Sequence, residues 1–155
     1  LSSMDRVRKM SKRWMPIGKR VVVVGGGLVG VELAEYLAER GRRVTVLEEG
    51  DRVGMEMAHP RRARAVHEAR SHGVVFVTGS ELVEITRSAV TYRVGEDTIT
   101  TPADAVVIAS GVHPDSSVAQ QLTDDGFEVR IVGDASSVGY IEGAIRSGYE
   151  AGRAI

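Results

Sequence analysis

Four consecutive valines that run into three glycines, Val21-Val22-Val23-Val24-Gly25-Gly26-Gly27, constrain this chain more than any other feature. A β-branched run without polar alternation reads as a strand covered on both faces, the situation of an interior strand in a parallel α/β sheet. After the glycines, Leu28, Val31, Leu33, Ala34, Leu37 and Ala38 recur at helical spacing, and Gly41 stands where a helix C-terminus commonly places a glycine. The pattern predicts a central first strand over 21–24, a glycine turn and a helix over 28–40. A second apolar run at 44–47, bounded by Gly41 and by Glu48-Glu49-Gly50, closes a βαβ unit with the expected right-handed crossover.

Pro60 suits the first turn of another helix, in which Ala63, Val66 and Ala69 form a thin apolar stripe and Arg61, Arg62, Arg64 and Arg70 stay in water. His72-Gly73 ends it, and 74–77 reads as a third buried strand. Three short runs, 82–85, 89–92 and 98–100, are separated by Arg87-Ser88 and Gly95-Glu96-Asp97 and predict a meander. The run 105–108 then returns to the pattern of a parallel strand and ends at Ser110-Gly111. Beyond it the texture changes to a short helix near 118–122, a strand over 128–132 ending in Gly133-Asp134, and a Gly/Ala-rich helix from about Ile141.

The fold class expected is therefore α/β, a Rossmann-like parallel sheet with a β-meander crossover. A boundary near 114–117 separates a domain over 19–115 from a segment over 116–155, and residues 1–18 read as a linker or incoming segment of a longer polypeptide. The composition, 43% hydrophobic and 26% charged over 155 residues, is that of a soluble domain able to bury one sizeable core.

A net charge of −1 supplies no global field for nucleic acid or an anionic membrane, so neither is expected as a partner. The basic run Arg6, Arg8, Lys9, Lys12 and Arg13 reads as a solvated or interdomain segment. There is no cysteine, which excludes a disulfide, a CxxC redox pair or a thiolate-held iron–sulfur cluster within these residues. No apolar run is long enough to span a bilayer and no signal-peptide pattern opens the chain, so a cytoplasmic location is expected. His59, His67 and His72 lack the spacing of HExxH, and no carboxylate is expected to complete a metal triad with them. No GxSxG is present and no catalytic side chain is nominated.

Gly25-Gly26-Gly27-Leu28-Val29-Gly30 fits GxGxxG, with Gly25 for the tight turn, Gly27 for backbone approach to a pyrophosphate and Gly30 for close packing of helix on strand. The phosphates would meet backbone N–H groups of the loop and of Leu28 and Val29, where the new helix is positive. Glu48 lies roughly 20 residues on, at the end of the second strand, the place of an acidic ribose ligand. As such it would repel a 2′-phosphate and favour NAD(H) over NADP(H). Arg42, Arg43 and Arg52 are close enough in sequence to meet a 2′-phosphate, and a strand-end glutamate can also be merely solvated. Gly111, at a parallel strand end, would let the backbone approach a ligand, with steric packing the simpler role. His113 could line the same pocket or be an ordinary loop histidine.

Three segments, 21–48, 103–115 and 129–155, together resemble the nicotinamide-binding region of two-dinucleotide-domain flavoproteins, most closely the C-terminal part of the NADH:flavin oxidoreductase/2,4-dienoyl-CoA reductase family. The resemblance implies an NAD(P)H site at the first motif and a C-terminal segment of a split FAD-binding domain, in which Gly133 and Asp134 would touch the FAD ribityl or phosphate. It further implies a parent enzyme that passes hydride from NAD(P)H to FAD and electrons through a 4Fe-4S cluster to FMN and an unsaturated substrate. The FMN, cluster and substrate sites would lie outside these residues, and this part alone would lack turnover. Amine dehydrogenase relatives resemble the same architecture yet hold an ADP-like nucleotide there, so a nucleotide-binding structural module without hydride transfer is the alternative.

Overall fold

A computed structural model describes residues 10–11 and 14–154, so the basic run from Arg6 to Arg13 and most of the expected 1–18 segment lie outside the described residues. The chain divides into two compact units, Leu1–Ser110 and Gly111–Ile155, a few residues before the boundary read from sequence.

In the first unit, strands β1 (Arg20–Val24), β2 (Arg43–Glu48), β3 (Val75–Thr78) and β7 (Ala105–Ile108) form a parallel sheet in the order β3-β2-β1-β7. Helices α1 (Leu28–Ala38) and α2 (His59–Ser71) make the crossovers, and β4 (Ser80–Ile85), β5 (Ala89–Val94) and β6 (Asp97–Pro102) form an antiparallel meander inserted before β7. The register of β4 on β5 shifts between Leu82 and Glu84.

The valine run has a simple explanation. Val21 and Val23 pack with Ala34, Leu37, Val44, Val46 and Ala69, whereas Val22 packs with Leu47, Val90, Tyr92 and Ala103 of the meander side. Successive side chains of a strand point to opposite faces, and here both faces are dry. Burying a valine is worth about 1.5–3 kcal/mol, so the alternation-free sequence is the stable one for this position.

Several expectations change in three dimensions. β7 joins the sheet beside β1 as a parallel strand, as expected, whereas β3, expected to be buried, is an edge strand in which Val75 remains 55% exposed. α1 ends at Ala38 rather than Arg40, because the Arg40 and Gly41 amides bond only three residues back, to the Leu37 and Ala38 carbonyls at 3.1 and 2.8 Å, and Gly41 leaves the helix with φ +76°. On α2, Ala63 points outward and Ala65, Val66 and Ala69 face inward. Arg62 does not stay in water: it is half-buried and donates to the Val53 carbonyl at 2.7 Å.

The second unit contains α3 (Ser117–Asp124), a short 3-10 turn at Gly133–Ala135 and α4 (Tyr140–Arg153). The strand expected over 128–132 does not form. Val132 is extended, with φ −130° and ψ 161°, but a strand also needs a hydrogen-bonded neighbour, and the second unit has none among the described residues. No described residue of this unit is fully buried, and Ile141, Ile145 and Tyr149 on α4 are 79%, 68% and 64% exposed.

Asp104 ties the start of β7 to β1. Its Oδ2 accepts from the Arg20 amide at 2.9 Å, its Oδ1 accepts from Arg20 Nε at 3.0 Å and from Nη2, and its own amide donates to the Arg20 carbonyl at 2.8 Å. The Arg20 side chain, then its amide, lowers the Asp104 carboxyl from 3.8 to about 2. A depressed carboxyl contributes stability above its unfolded value and loses it as pH falls through the folded one. Stability should therefore fall between pH 4 and 2, and Asp104→Asn should be less stable at pH 7 with a flatter acid limb in chemical denaturation; parallel curves would remove Asp104 from the account.

Candidate functional site

The glycine loop lies at the carboxyl end of β1, and its three motif glycines meet different neighbours. Gly25 has φ +105°, and a Cβ there would lie 2.5 Å from the Ala109 carbonyl oxygen and 2.7 Å from the Ser110 nitrogen. Backbone on the adjacent strand end thus demands glycine. At Gly30 a Cβ would collide with the Gly25 carbonyl oxygen, so α1 rests directly on the turn that precedes it. Gly27, the N-cap of α1, has φ −68°, and a Cβ there would meet only the mobile end of a side chain, the Glu56 carboxylate, at 2.7 and 2.8 Å.

Glu48, last residue of β2, reaches the same loop. Its Oε2 accepts from the Gly26 amide at 2.7 Å and its Oε1 from the Gly50 amide at 2.8 Å, while the buried Ser80 hydroxyl donates to the Glu48 carbonyl at 3.1 Å. The carboxylate is held at the loop, not merely solvated. Four lone-pair sites belong to a carboxylate, so two amide bonds leave acceptor capacity for hydroxyl donors. Opposite it, the Leu28 amide donates to Glu56 Oε2. Glu56 had no local signal in the sequence; it stands 28 residues from Leu28 in a loop between the buried Val53 and Met57.

Together these features make an anion seat: amides at the positive end of an 11-residue helix, no side chain on Gly27, and no acidic residue in the helix's own first turn. Gly30 is buried, and Val29 is 58% exposed. The seat needs no basic side chain, since backbone dipoles supply the positive potential.

Gly111, His113, Gly133 and Asp134 belong to the second unit. Gly111 has φ +72° with nothing within 4 Å of a built Cβ, so a turn conformation rather than crowding asks for glycine there. His113 is exposed. The Gly133 amide donates to Ser147 Oγ at 2.8 Å, and Asp134 Oδ1 accepts from the Gly139 and Tyr140 amides at 2.9 and 3.0 Å, capping α4.

The histidines separate. His59 and His67 line an open depression of about 480 Å³ together with Arg52, Arg62 and Phe76. His72 instead lies with Glu35 and Glu39, their ligand atoms all within 4.8 Å of one another, so carboxylates do approach a histidine where none was expected. Burial, followed by the Glu68 and Glu39 carboxylates, raises the Glu35 carboxyl. α1 carries Glu35 and its C-cap residue is Glu39, one turn on, and only the packing of α1 on α2 brings His72 to them.

A parallel sheet with a glycine turn at the end of an interior strand, a helix N-terminus above the turn and an acid at the end of the next strand defines a Rossmann-like dinucleotide-binding fold. Within that class, the chain belongs to the pyridine nucleotide-disulphide oxidoreductase family, whose sequence profile matches residues 1–137. It is 35% identical over 146 residues to bilirubin reductase of Mediterraneibacter gnavus, a match covering 94% of this chain and 23% of that protein. It is 37% identical over 136 residues to NADH oxidase of Thermoanaerobacter brockii, covering 85% of this chain and 21% of that one. A solved 2-naphthoyl-CoA reductase, in complex with 2-naphthoyl-CoA, superposes with a TM-score of 0.79 at 28% identity, over 98% of this chain and 23% of that chain. The chain thus spans less than a quarter of the length of each.

Because Gly30 packs against backbone and Gly27 against a movable side chain, Gly30→Ala should destabilise by about 1–3 kcal/mol, while Gly27→Ala stays within about 0.5 kcal/mol. Urea unfolding of the two variants side by side checks this; equal losses would contradict the assigned contacts.

Proposed function

We propose that this chain is the nicotinamide-nucleotide-binding part of a flavin-dependent oxidoreductase of the NADH:flavin oxidoreductase/2,4-dienoyl-CoA reductase kind. The observation that carries the reading is the anion seat of Gly25, Gly27 and Gly30 with Glu48 fastened beside it. The likeness to a bilirubin reductase, an NADH oxidase and a 2-naphthoyl-CoA reductase supports a parent enzyme that reduces an unsaturated substrate elsewhere in its polypeptide.

In this reading the amides of the loop, with Leu28 and Val29, bind the pyrophosphate, and Gly30 keeps the helix close enough to aim them. Glu48, oriented by the Gly26 and Gly50 amides, accepts from the adenosine ribose hydroxyls and disfavours a 2′-phosphate, hence NAD(H) over NADP(H). Gly111, lacking a side chain, would let the backbone approach the nucleotide. When bound, the nicotinamide supplies a hydride and FAD accepts it; no protein nucleophile is required. In the second unit, Gly133 and Asp134 approach the flavin ribityl or phosphate. Asp134 would share its carboxylate between that contact and the α4 cap. The apolar surface of Ile141, Ile145 and Tyr149 supports a unit whose core is completed by the rest of the parent polypeptide. A 4Fe-4S cluster would belong to that remainder, since no cysteine is available here, and the resemblance assigns FMN to it as well.

Calorimetric titration with NADH, NADPH and ADP in parallel tests the reading. NADH should bind more tightly than the other two; ADP binding as well as NADH would favour a nucleotide-binding structural module without hydride transfer. Gly27→Val, which projects a side chain into the seat, should abolish nucleotide binding while the fold is kept. Unchanged affinity would remove the loop from the site.

Glu48→Ala should weaken NADH by about tenfold or more, as loss of hydrogen bonds to a charged group implies, and should narrow the NADH/NADPH affinity ratio. A ratio that does not move would mean that Glu48 is not the ribose ligand.

A further inference from the structure

The seat at the start of α1 already holds an anion of the protein's own. Glu56 Oε2 accepts from the Leu28 amide, and both Glu56 oxygens lie within 2.8 Å of the position a Cβ would take on Gly27. That is the volume which the missing side chain of Gly27 leaves open. α1 has no side-chain cap and no acid in its first turn, so this carboxylate from a distant loop is what meets its positive end.

The surrounding loop is built to hold the backbone and free the side chain. The Gly54 amide donates to the Gly26 carbonyl at 2.6 Å, the Met57 amide donates to the Gly54 carbonyl at 3.0 Å, and Val53 and Met57 are buried on either side. Glu56 itself is exposed, so its side chain can rotate into solvent without disturbing those anchors. Glu48 contrasts with it, having both oxygens engaged by amides.

We infer that Glu56 is a built-in competitor for the pyrophosphate seat, and that its carboxylate must leave Leu28 before a pyrophosphate-bearing ligand can bind. This rests on the reading of the glycine loop given above. Two anions cannot occupy one amide-lined volume: each would lose the shared donor and repel the other at short range. Glu56 therefore lowers the affinity of every ligand that places a phosphate there and leaves untouched any ligand that does not. It also keeps weak monoanions out, because only a ligand with more contacts than the Leu28 amide alone displaces it.

The test compares the unaltered protein with Glu56→Gln, Glu56→Ala and, separately, Gly27→Val, using NADH, ADP and adenosine as probes in calorimetry. Both Glu56 variants should bind NADH and ADP about fivefold more tightly, the scale of one charge removed from a helix N-terminus, with adenosine unchanged. Without ligand, the Leu28 amide proton should move upfield in the NMR spectrum of both variants, reporting the lost carboxylate bond. If the unaltered protein binds NADH and Gly27→Val abolishes this, yet neither Glu56 variant tightens binding or shifts Leu28, the competitor is refuted and the glycine-loop reading stands. If the unaltered protein fails to bind NADH, or Gly27→Val binds as well, the loop reading fails and the competitor with it. Equal tightening of adenosine would also overturn the inference, since adenosine brings no phosphate to the seat.

Discussion

The close approach of Gly30 to the Gly25 carbonyl oxygen, which leaves no room for a Cβ, sets the geometry on which the first unit depends. No side chain fits between them, so α1 begins directly over the turn that ends β1. Ala34 and Leu37, both buried against Val21, Val23 and Val46, continue that close face along the helix. With α1 this near the sheet, its first amides open at the carboxyl edge of the strands, where α/β folds gather ligands. A helix displaced by even one methyl group would still cover the sheet but would no longer aim those amides into the turn.

Two glutamates then converge on this loop from different distances in sequence, and their surroundings give them different characters. Glu48 ends an interior strand and is clamped by the Gly26 and Gly50 amides. Glu56 sits on an exposed turn with the Leu28 amide as its contact to the loop. A clamped carboxylate is pre-oriented and keeps its place when a polar ligand arrives; an exposed one gives way to a stronger acceptor. The difference comes from the backbone around each residue, since the two side chains are chemically the same.

What was legible in the sequence is what local periodicity and composition encode. The valine run specified an interior strand because both of its faces had to be apolar, and the three glycines, spaced over six residues, announced the turn and the helix start. Glu48 was legible because the βαβ unit fixes its distance from the turn. Edge position was not legible: the runs at 74–77 and 105–108 are as apolar as an interior strand, and only the pairing order leaves Val75 and Ile108 exposed. The strand expected over 128–132 failed for a related reason, since extended backbone becomes a strand only when a neighbour takes its hydrogen bonds. Glu56 and the His72, Glu35 and Glu39 group arise from contacts between elements, which no period along the chain records.

The two units also differ in how complete they are. The first has dry clusters on both faces of its parallel sheet, and every group of its anion seat comes from its own residues. The second is organised by polar contacts: Asp134 holds the amides that open α4, and Arg130 donates to the Ala151 and Ala154 carbonyls at its other end. Opposite charges at the two helix ends complement the dipole, yet the apolar face of α4 stays exposed. A helix whose ends are satisfied and whose face is not has its conformation fixed in advance of its packing. In the first unit, by contrast, geometry, burial and donor placement coincide within one core.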